Sequence, residues 1–329
     1  MLPGAQQLEL LRRLNLAESS DIPKRGYSHL STRLADRVLT AAAPGRGKPD
    51  LALLGVEESP YGPGPVDPSL LPAHELVRVA TSVLAEDVVA LGVPAPERRV
   101  RRIWHRSYRV AGDPIEAALV REHLTGRGRP PGGHGAQTLV PGGPLDQMLA
   151  DVWTRRCFER GSGGWPEWLR FWQQRGELPP RIDLPAVVDR QRGRVSVVLD
   201  RSQLPGLLGV RRLPPPTRPG ADAAELARRI ATVVGLLVPA DERADLMTRT
   251  LLPRMPATDT PPVSLPEEHR EWVHAAGERM ARSLSRAGYP VVGDPATVVP
   301  SGSSVNVATP EQVLALAVRM LVDDSWKEQ

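Results

Sequence analysis

The run Ile22-Pro-Lys-Arg-Gly-Tyr-Ser28 brings a lysine, a glycine and a hydroxyl together directly before an amphipathic stretch. These residue types suit an anion. Gly26 lets the backbone approach closely, the amides and the dipole of a following helix receive negative charge, Ser28 can add a hydroxyl, and Lys24 carries a full positive charge. The same run also serves as a polar link before a capped helix, and both readings stand at this point. The nucleotide-binding pattern GxxxxGK[ST] occurs nowhere in the chain, and its near match Gly45-Arg-Gly-Lys-Pro49 has a proline where a hydroxyl is needed. A second glycine turn, Pro141-Gly142-Gly143-Pro144, could offer backbone to an anion. It could equally make a tight strand-to-helix connection with Pro144 at the first helical position.

Other residues with chemical potential read more plainly. His269 and His274 are five apart on an expected helix, so their directions differ by about 140° and they cannot comfortably share a metal. Cys157 is the only cysteine, which excludes an internal disulfide and reads as a buried small hydrophobe. Trp153, Trp165, Trp168 and Trp172 could line an aromatic acceptor pocket, although core packing is the commoner use of such apolar area.

The elements that must position these residues follow from periodicity. The stretch at 8 to 18 is ambiguous between a helix and a helix feeding a strand near Leu14 to Ala17. Leu30, Leu34, Val38 and Leu39 mark a helix closed by Pro44-Gly45, Asp50 to Val56 a buried strand, and Pro72 to Leu91 a helix. Arg99 to Val110 reads as a strand, Asp113 to Leu124 as a helix, and Ala136 to Val140 as a short strand. The Gly-Gly turn then enters a helix faced by Leu145, Met148, Leu149 and Val152. Arg194 to Leu199 is the clearest buried strand. Asp222 with Glu225, Ser264 with Glu267 and Thr309 with Gln312 have capping-box spacing. A helix from Pro266 to Ala287 stops at Gly288, and Tyr289 to Asp294 is a short strand or an extended tail.

Strands alternating with helices predict an α/β fold: a three-layer arrangement around a mainly parallel sheet, with helices on both faces and a helical C-terminal third. Residues 1–329 read as a single domain with a possible hinge at 213–220 before a helical subregion, 221–329. Ligands in such sheets bind beyond the carboxyl ends of the strands, which directs attention to the turns at Ile22 to Ser28 and Pro141 to Pro144.

With 329 residues and 41% hydrophobic content, the chain can fill a core of that size. The net charge of +4 comes from 42 basic residues, of which only Lys24, Lys48 and Lys327 are lysines. Acidic residues are interleaved with the arginines, so no basic stripe marks a nucleic-acid face. No apolar run reaches the roughly 18 residues of a membrane span or forms a leader, and together with the lone cysteine this reads as a cytoplasmic protein. A homo-oligomer is compatible with the sequence.

Three segments carry a resemblance to a known family. PKRGYS resembles the PKTGTT or PKSGTT loop of the sulfotransferases, with Pro23, Lys24, Gly26 and a hydroxyl at Ser28 retained and with Arg25 and Tyr27 replacing the usual residues. TLVPGGPLDQMLADVW stands in the place of that family's strand, Arg-Asp-Pro-Leu turn and helix. LPEEHREWVHAAGERMARSLSRAGYPVVGDPATVVP, residues 265 to 300, is similar to the C-terminal segment of actinobacterial sulfotransferase-like proteins. Together they touch about a third of the chain.

The resemblance implies sulfuryl transfer from 3′-phosphoadenosine 5′-phosphosulfate to a hydroxyl or amine of a small-molecule acceptor. The donor would lie on Lys24, Arg25, Gly26, Tyr27, Ser28, Gly142 and Gly143, and Lys24 would neutralise charge on the leaving oxygen. An acceptor needs a general base, for which His105 and Glu58 are the candidates, with Glu57 and His29 nearby; no metal is implied. Gly142 and Gly143 replace the family arginine that binds the nucleotide 3′-phosphate, and the matching serine is also absent. Arg155 or Arg156 would have to supply that charge, or the phosphate is not held. The other implied function is a catalytically inactive, sulfotransferase-like protein acting in partner binding or regulation.

Overall fold

In the computed structural model, which describes residues 4–20, 31–41, 67–95, 107–300, 302, 305–323 and 325–328, helices and short parallel strands alternate along an α/β chain. Helix α1 (Ala5–Ser20) is unbroken. Leu10 and Leu14, one turn apart, are both fully buried, so the ambiguous run at 8 to 18 is helical and the strand alternative near Leu14 is not adopted. Helix α2 (Thr32–Thr40) begins at Ser31, whose hydroxyl accepts from the Leu34 amide at 3.2 Å and satisfies an otherwise orphaned donor. Helix α3 (Ala73–Leu91) is apolar on nearly every side because it is buried on nearly every side. It ends at Gly92, where φ of 67° is a left-handed value that glycine adopts without strain.

The middle of the chain supplies β1 (Tyr108–Val110), α4 (Pro114–Thr125), β2 (Gln137–Pro141), α5 (Leu145–Cys157), α6 (Trp165–Arg175), α7 (Leu184–Asp189) and β3 (Val195–Val198). Short α8 (Leu204–Leu208) and long α9 (Ala221–Leu237) follow. Helix α10 (Ala240–Asp245) widens into a π-helical stretch, Leu246–Leu251, before α11 (Leu252–Arg254). A 3-10 turn at Glu267–His269 leads into α12 (Arg270–Ser285), then come β4 (Val291–Val292), α13 (Pro310–Val322) and α14 (Ser325–Glu328). The segment at Tyr289 to Asp294 therefore contributes a strand.

Among the described residues the four strands form one sheet in the order β1-β2-β3-β4, parallel throughout. Thr138 pairs with Val195, Val140 with Val197, and Val197 with Val291. Because side chains alternate along a strand, neighbouring residues feed different clusters. Val140, Val195 and Val197 join side chains of α5, α6, α7 and α12, whereas Tyr108, Leu139 and Val198 join Val120 and Leu124 of α4 and Leu204 and Leu208 of α8. A third cluster is wholly helical and unites α1, α2, α3, α9, the π-helical stretch, α13 and α14. At its edge Asp87 of α3 binds Arg37 at 2.7 Å and Lys327 at 3.0 Å, tying α2 and α14 to the same carboxylate.

Two expected capping boxes are not formed. Asp222 lies inside α9, not before it, and its carboxylate accepts from the hydroxyls of Thr258 and Thr260 at 2.9 and 3.0 Å. Glu225 pairs with Arg228 and Arg229. The Ser264 hydroxyl accepts from the Asn306 amide. In each case tertiary partners displace the local cap. The Thr309–Gln312 box is present in full.

Trp153, Trp165 and Trp168 are core, and half-buried Trp172 packs against them. Trp165 stacks on Trp168 with centroids 5.6 Å apart, meets Trp153 at 5.5 Å, and its indole donates to the Ser264 carbonyl at 2.9 Å. Replacing Trp165 by alanine should cost about 3–5 kcal/mol, seen as a lower midpoint in urea denaturation; an unchanged midpoint would show that this cluster does not hold the sheet to its helices.

Candidate functional site

All four strands run out toward the same edge, and each ends in a polar turn. After β1, Gly112 has φ of 87°, and a side chain there would place its Cβ 2.4 Å from the Pro141 carbonyl oxygen, so only glycine fits. The next residue, Asp113, caps α4: its Oδ1 accepts from the amides of Ile115 and Glu116, both at 2.9 Å. After β2 the Gly142 amide donates to the Val198 carbonyl at 3.0 Å. Gly142 packs so tightly that an added Cβ would lie 2.6 Å from Leu184, whereas Gly143 faces open space. Asp200 and Asp294 cap the short 3-10 turns that follow β3 and β4.

A buried carboxyl pair lies behind these turns. Asp151, from the second turn of α5, faces Asp113, and the two carboxyls share a hydrogen bond. The segment leading into α9 supplies Arg218, whose Nε and Nη2 grip Asp151 at 2.8 to 3.0 Å. With its amide oxygen toward Arg218, Gln147 accepts from the same guanidinium at 2.7 Å. Burial pushes the Asp113 carboxyl well above the ordinary aspartate range, and the neighbouring Asp151 charge pushes it further. Burial raises Asp151 too, but Arg218 holds it back. The proton therefore sits on Asp113, and Asp151 is the ionised partner.

A cavity of about 200 Å³ opens in front of this pair, bordered by Asp113, Glu116, Gly143, Gln147, Arg201 and Arg218. Glu116 accepts from Arg201 Nε at 2.8 Å through Oε1, while its Oε2 is buried and meets no partner among the described residues. Helix α5 points its N-terminus at the same cavity without a side-chain cap. Of the charged side chains that border it, Arg201 is paired with Glu116, and Arg218 with Asp151 behind the lining.

Of the residues singled out by sequence, Gly142 and Gly143 lie at this edge. Lys24, Arg25, Gly26, Tyr27, Ser28, Glu58 and His105, together with Glu57, His29 and the expected strand at 50 to 56, lie outside the described residues. Arg155 and Arg156 lie away from this edge. They occupy the far end of α5, where Arg155 pairs with Glu159 at 2.8 Å, about 15 Å along the axis from Leu145. The arginines at the Gly-Gly turn are instead Arg201 and Arg218. Sequence reasoning missed them, along with Asp113, Glu116 and Asp151; the readable hint was Gly112-Asp113-Pro114, a helix-start pattern just after a strand.

The remaining candidates resolve simply. Cys157 is fully buried, and burial pushes its thiol well above the usual range. Buried His269 meets the Gln173 amide oxygen at 2.6 Å, and burial lowers its pKa, keeping it neutral. Among the described residues no group of histidine, cysteine and acidic side chains is arranged to hold a metal ion, and no helix is long and apolar enough to cross a membrane. No family model, curated protein or solved structure matches this chain.

The carboxyl pair sets a pH dependence. A carboxyl whose pKa is higher folded than unfolded contributes stability below its unfolded value, and that contribution is lost as pH rises through its folded one. Wild type should therefore lose stability as pH climbs above the aspartate reference of 3.8. Asp113→Asn, which keeps the cap acceptor and a donor toward Asp151, should lack this loss. Urea denaturation over a pH series reads the difference, and parallel curves for the two proteins would contradict the assignment. Arg218→Met should cost about 3–5 kcal/mol, because it strands the Asp151 charge in the interior.

Proposed function

We propose that this chain binds a small polar ligand at the carboxyl edge of its sheet, and that binding, not sulfuryl transfer, is its principal activity. The observation that carries the reading is the cavity at the Gly142–Gly143 turn, where an uncapped helix N-terminus, an open glycine and two ion-paired arginines meet. Strand-to-helix turns at this edge are where open parallel α/β sheets take ligands. At about 200 Å³ the cavity is smaller than the roughly 300–1,000 Å³ of sites that take drug-sized ligands. The reading takes the sheet as the middle of three layers in a single domain and adopts the cytoplasmic setting suggested by the lone Cys157.

Two features count against a nucleotide donor here. Arg201 and Arg218 are both engaged by carboxylates, so a phosphate would have to displace Glu116 or Asp151 to gain them. In addition, residues 5–20 are helical, so they do not supply a strand ahead of PKRGYS. Sulfuryl transfer from 3′-phosphoadenosine 5′-phosphosulfate to a small-molecule hydroxyl or amine is the second reading, favoured by the PKRGYS run itself with Lys24 at the donor.

Screening a fragment library against isotope-labelled protein tests the site. The amide resonances of Gly143 and Gln147 should move with at least one fragment; no movement at either with any fragment would contradict the reading. Calorimetric titration with adenosine 3′,5′-bisphosphate separates the two functions. The binding reading predicts no micromolar affinity, whereas micromolar affinity that disappears in Lys24→Ala would establish the donor site instead.

A further inference from the structure

A second cavity, of about 190 Å³, lies where α4 packs on α5, apart from the Gly142–Gly143 turn. Ile115 and Leu119 of α4, Phe158 at the end of α5 and Leu252 of α11 give it apolar walls. It slightly exceeds the roughly 150 Å³ void that takes a benzene molecule, so a phenyl ring or a short alkyl chain fits. One polar group is built into the wall. Thr154 borders the cavity, is 5% exposed, and its hydroxyl meets no hydrogen-bond partner among the described residues. Arg155 borders it beside Thr154.

Arg155 belongs to a cluster with excess positive charge. Glu159 accepts from Arg155 Nε on Oε1 at 2.8 Å and from Arg181 Nη1 on Oε2 at 3.3 Å. Arg121 of α4 donates through Nε to the Ala117 carbonyl at 3.0 Å and makes no ion pair among the described residues. Burial lowers the Arg121 pKa, and the charges of Arg155 and Arg181 lower it further, so the three guanidiniums act on one another. Three cations thus share one carboxylate. Both Nη groups of Arg121 and Arg155, and Nη2 of Arg181, meet no acceptor among the described residues, and such planar forks match the oxygens of a phosphate. Exposed Glu122 is the other acid at the cavity, and with it counted the surroundings remain positive.

The two features select a ligand together. Inorganic phosphate would satisfy the arginines and leave the apolar walls empty. A neutral alcohol would fill the walls and leave the arginines unmet. A phosphomonoester carries about −1.5 to −2 at pH 7 and three acceptor oxygens on one end of an apolar group, and so meets both.

We propose that this cavity takes a small phosphomonoester of a phenyl-sized or short alkyl group, with its phosphate on Arg121, Arg155 and Arg181 and its apolar part between Leu119 and Phe158. The Thr154 hydroxyl donates to the ester oxygen at the neck. This site is additional to the one at the carboxyl edge of the sheet and stands or falls independently of it.

The test titrates phenyl phosphate and hexyl phosphate into the full chain by calorimetry, beside phenol, hexanol and inorganic phosphate. At least one ester should bind tenfold or more tightly than both its alcohol and inorganic phosphate. On isotope-labelled protein the amide resonances of Ala118 and Thr154 should move with that ester. Arg121→Gln, which breaks no ion pair, should weaken the ester at least tenfold, and Ala118→Phe, which fills the cavity, should weaken the ester without changing inorganic phosphate; circular dichroism confirms that both variants fold. The wild-type preference and the resonance map do not depend on either variant. Absence of binding by both esters would overturn the proposal, as would an alcohol or inorganic phosphate that binds as tightly as its ester. Ester binding that moves Gly143 and leaves Ala118 still, or that survives Arg121→Gln undiminished, would overturn it too.

Discussion

One shared proton between Asp113 and Asp151, with Arg218 clamped on the ionised partner, organises the carboxyl edge of the sheet. Asp113 caps α4, Asp151 belongs to α5, and Arg218 comes from the segment leading into α9. The network therefore joins three parts of the chain that flank the strand ends. Two buried carboxylates side by side cannot both stay ionised in a medium that solvates charge poorly. The arginine decides which of them keeps its charge, and the cap amides hold Asp113 in place. The cost of removing any one member is high because the others are left buried with unmet charge or hydrogen bonds.

The helical body gives this edge a stable backing. Helix α9 contributes Ala221 and Ala224 to the cluster under the sheet and Leu226, Ala227 and Ile230 to the helical cluster, so it is the seam between them. Its first turn thus packs toward the sheet and its later turns into the helical body. The Arg37–Asp87–Lys327 junction then closes the body by bringing early and late helices onto α3. Ion pairs of this kind contribute modestly when exposed; here the carboxylate is largely buried, which fixes its geometry.

What could be read from the chain was what is local. Apolar periodicity gave α3 its bounds to within a residue and α5 its start and buried face, and four consecutive buried residues mark β3 in both the pattern and the structure. The stretch at 8 to 18 needed its partners: only packing of Leu10 and Leu14 against α3 and α13 decides for helix. Capping boxes were legible where nothing competed, as at Thr309, and illegible where Thr258, Thr260 or Asn306 offered a better contact from a distance. The carboxyl pair was invisible for the same reason. Residues 113, 151 and 218 meet only after β1, β2 and α9 are in place, and Arg218 sits in a Pro-rich stretch that reads as a surface hinge.

The edge depends on Asp113 holding its proton well above the ordinary aspartate range while Asp151, gripped by Arg218, ionises first. Carbon-13 NMR of the aspartate carboxyls, assigned with Asp113→Asn and Asp151→Asn, reads the protonation of each group directly. Asp113 should keep the chemical shift of a protonated carboxyl well above the reference value of 3.8, with Asp151 ionised beside it first. An Asp113 signal that titrates near the reference value of 3.8 would contradict the shared proton.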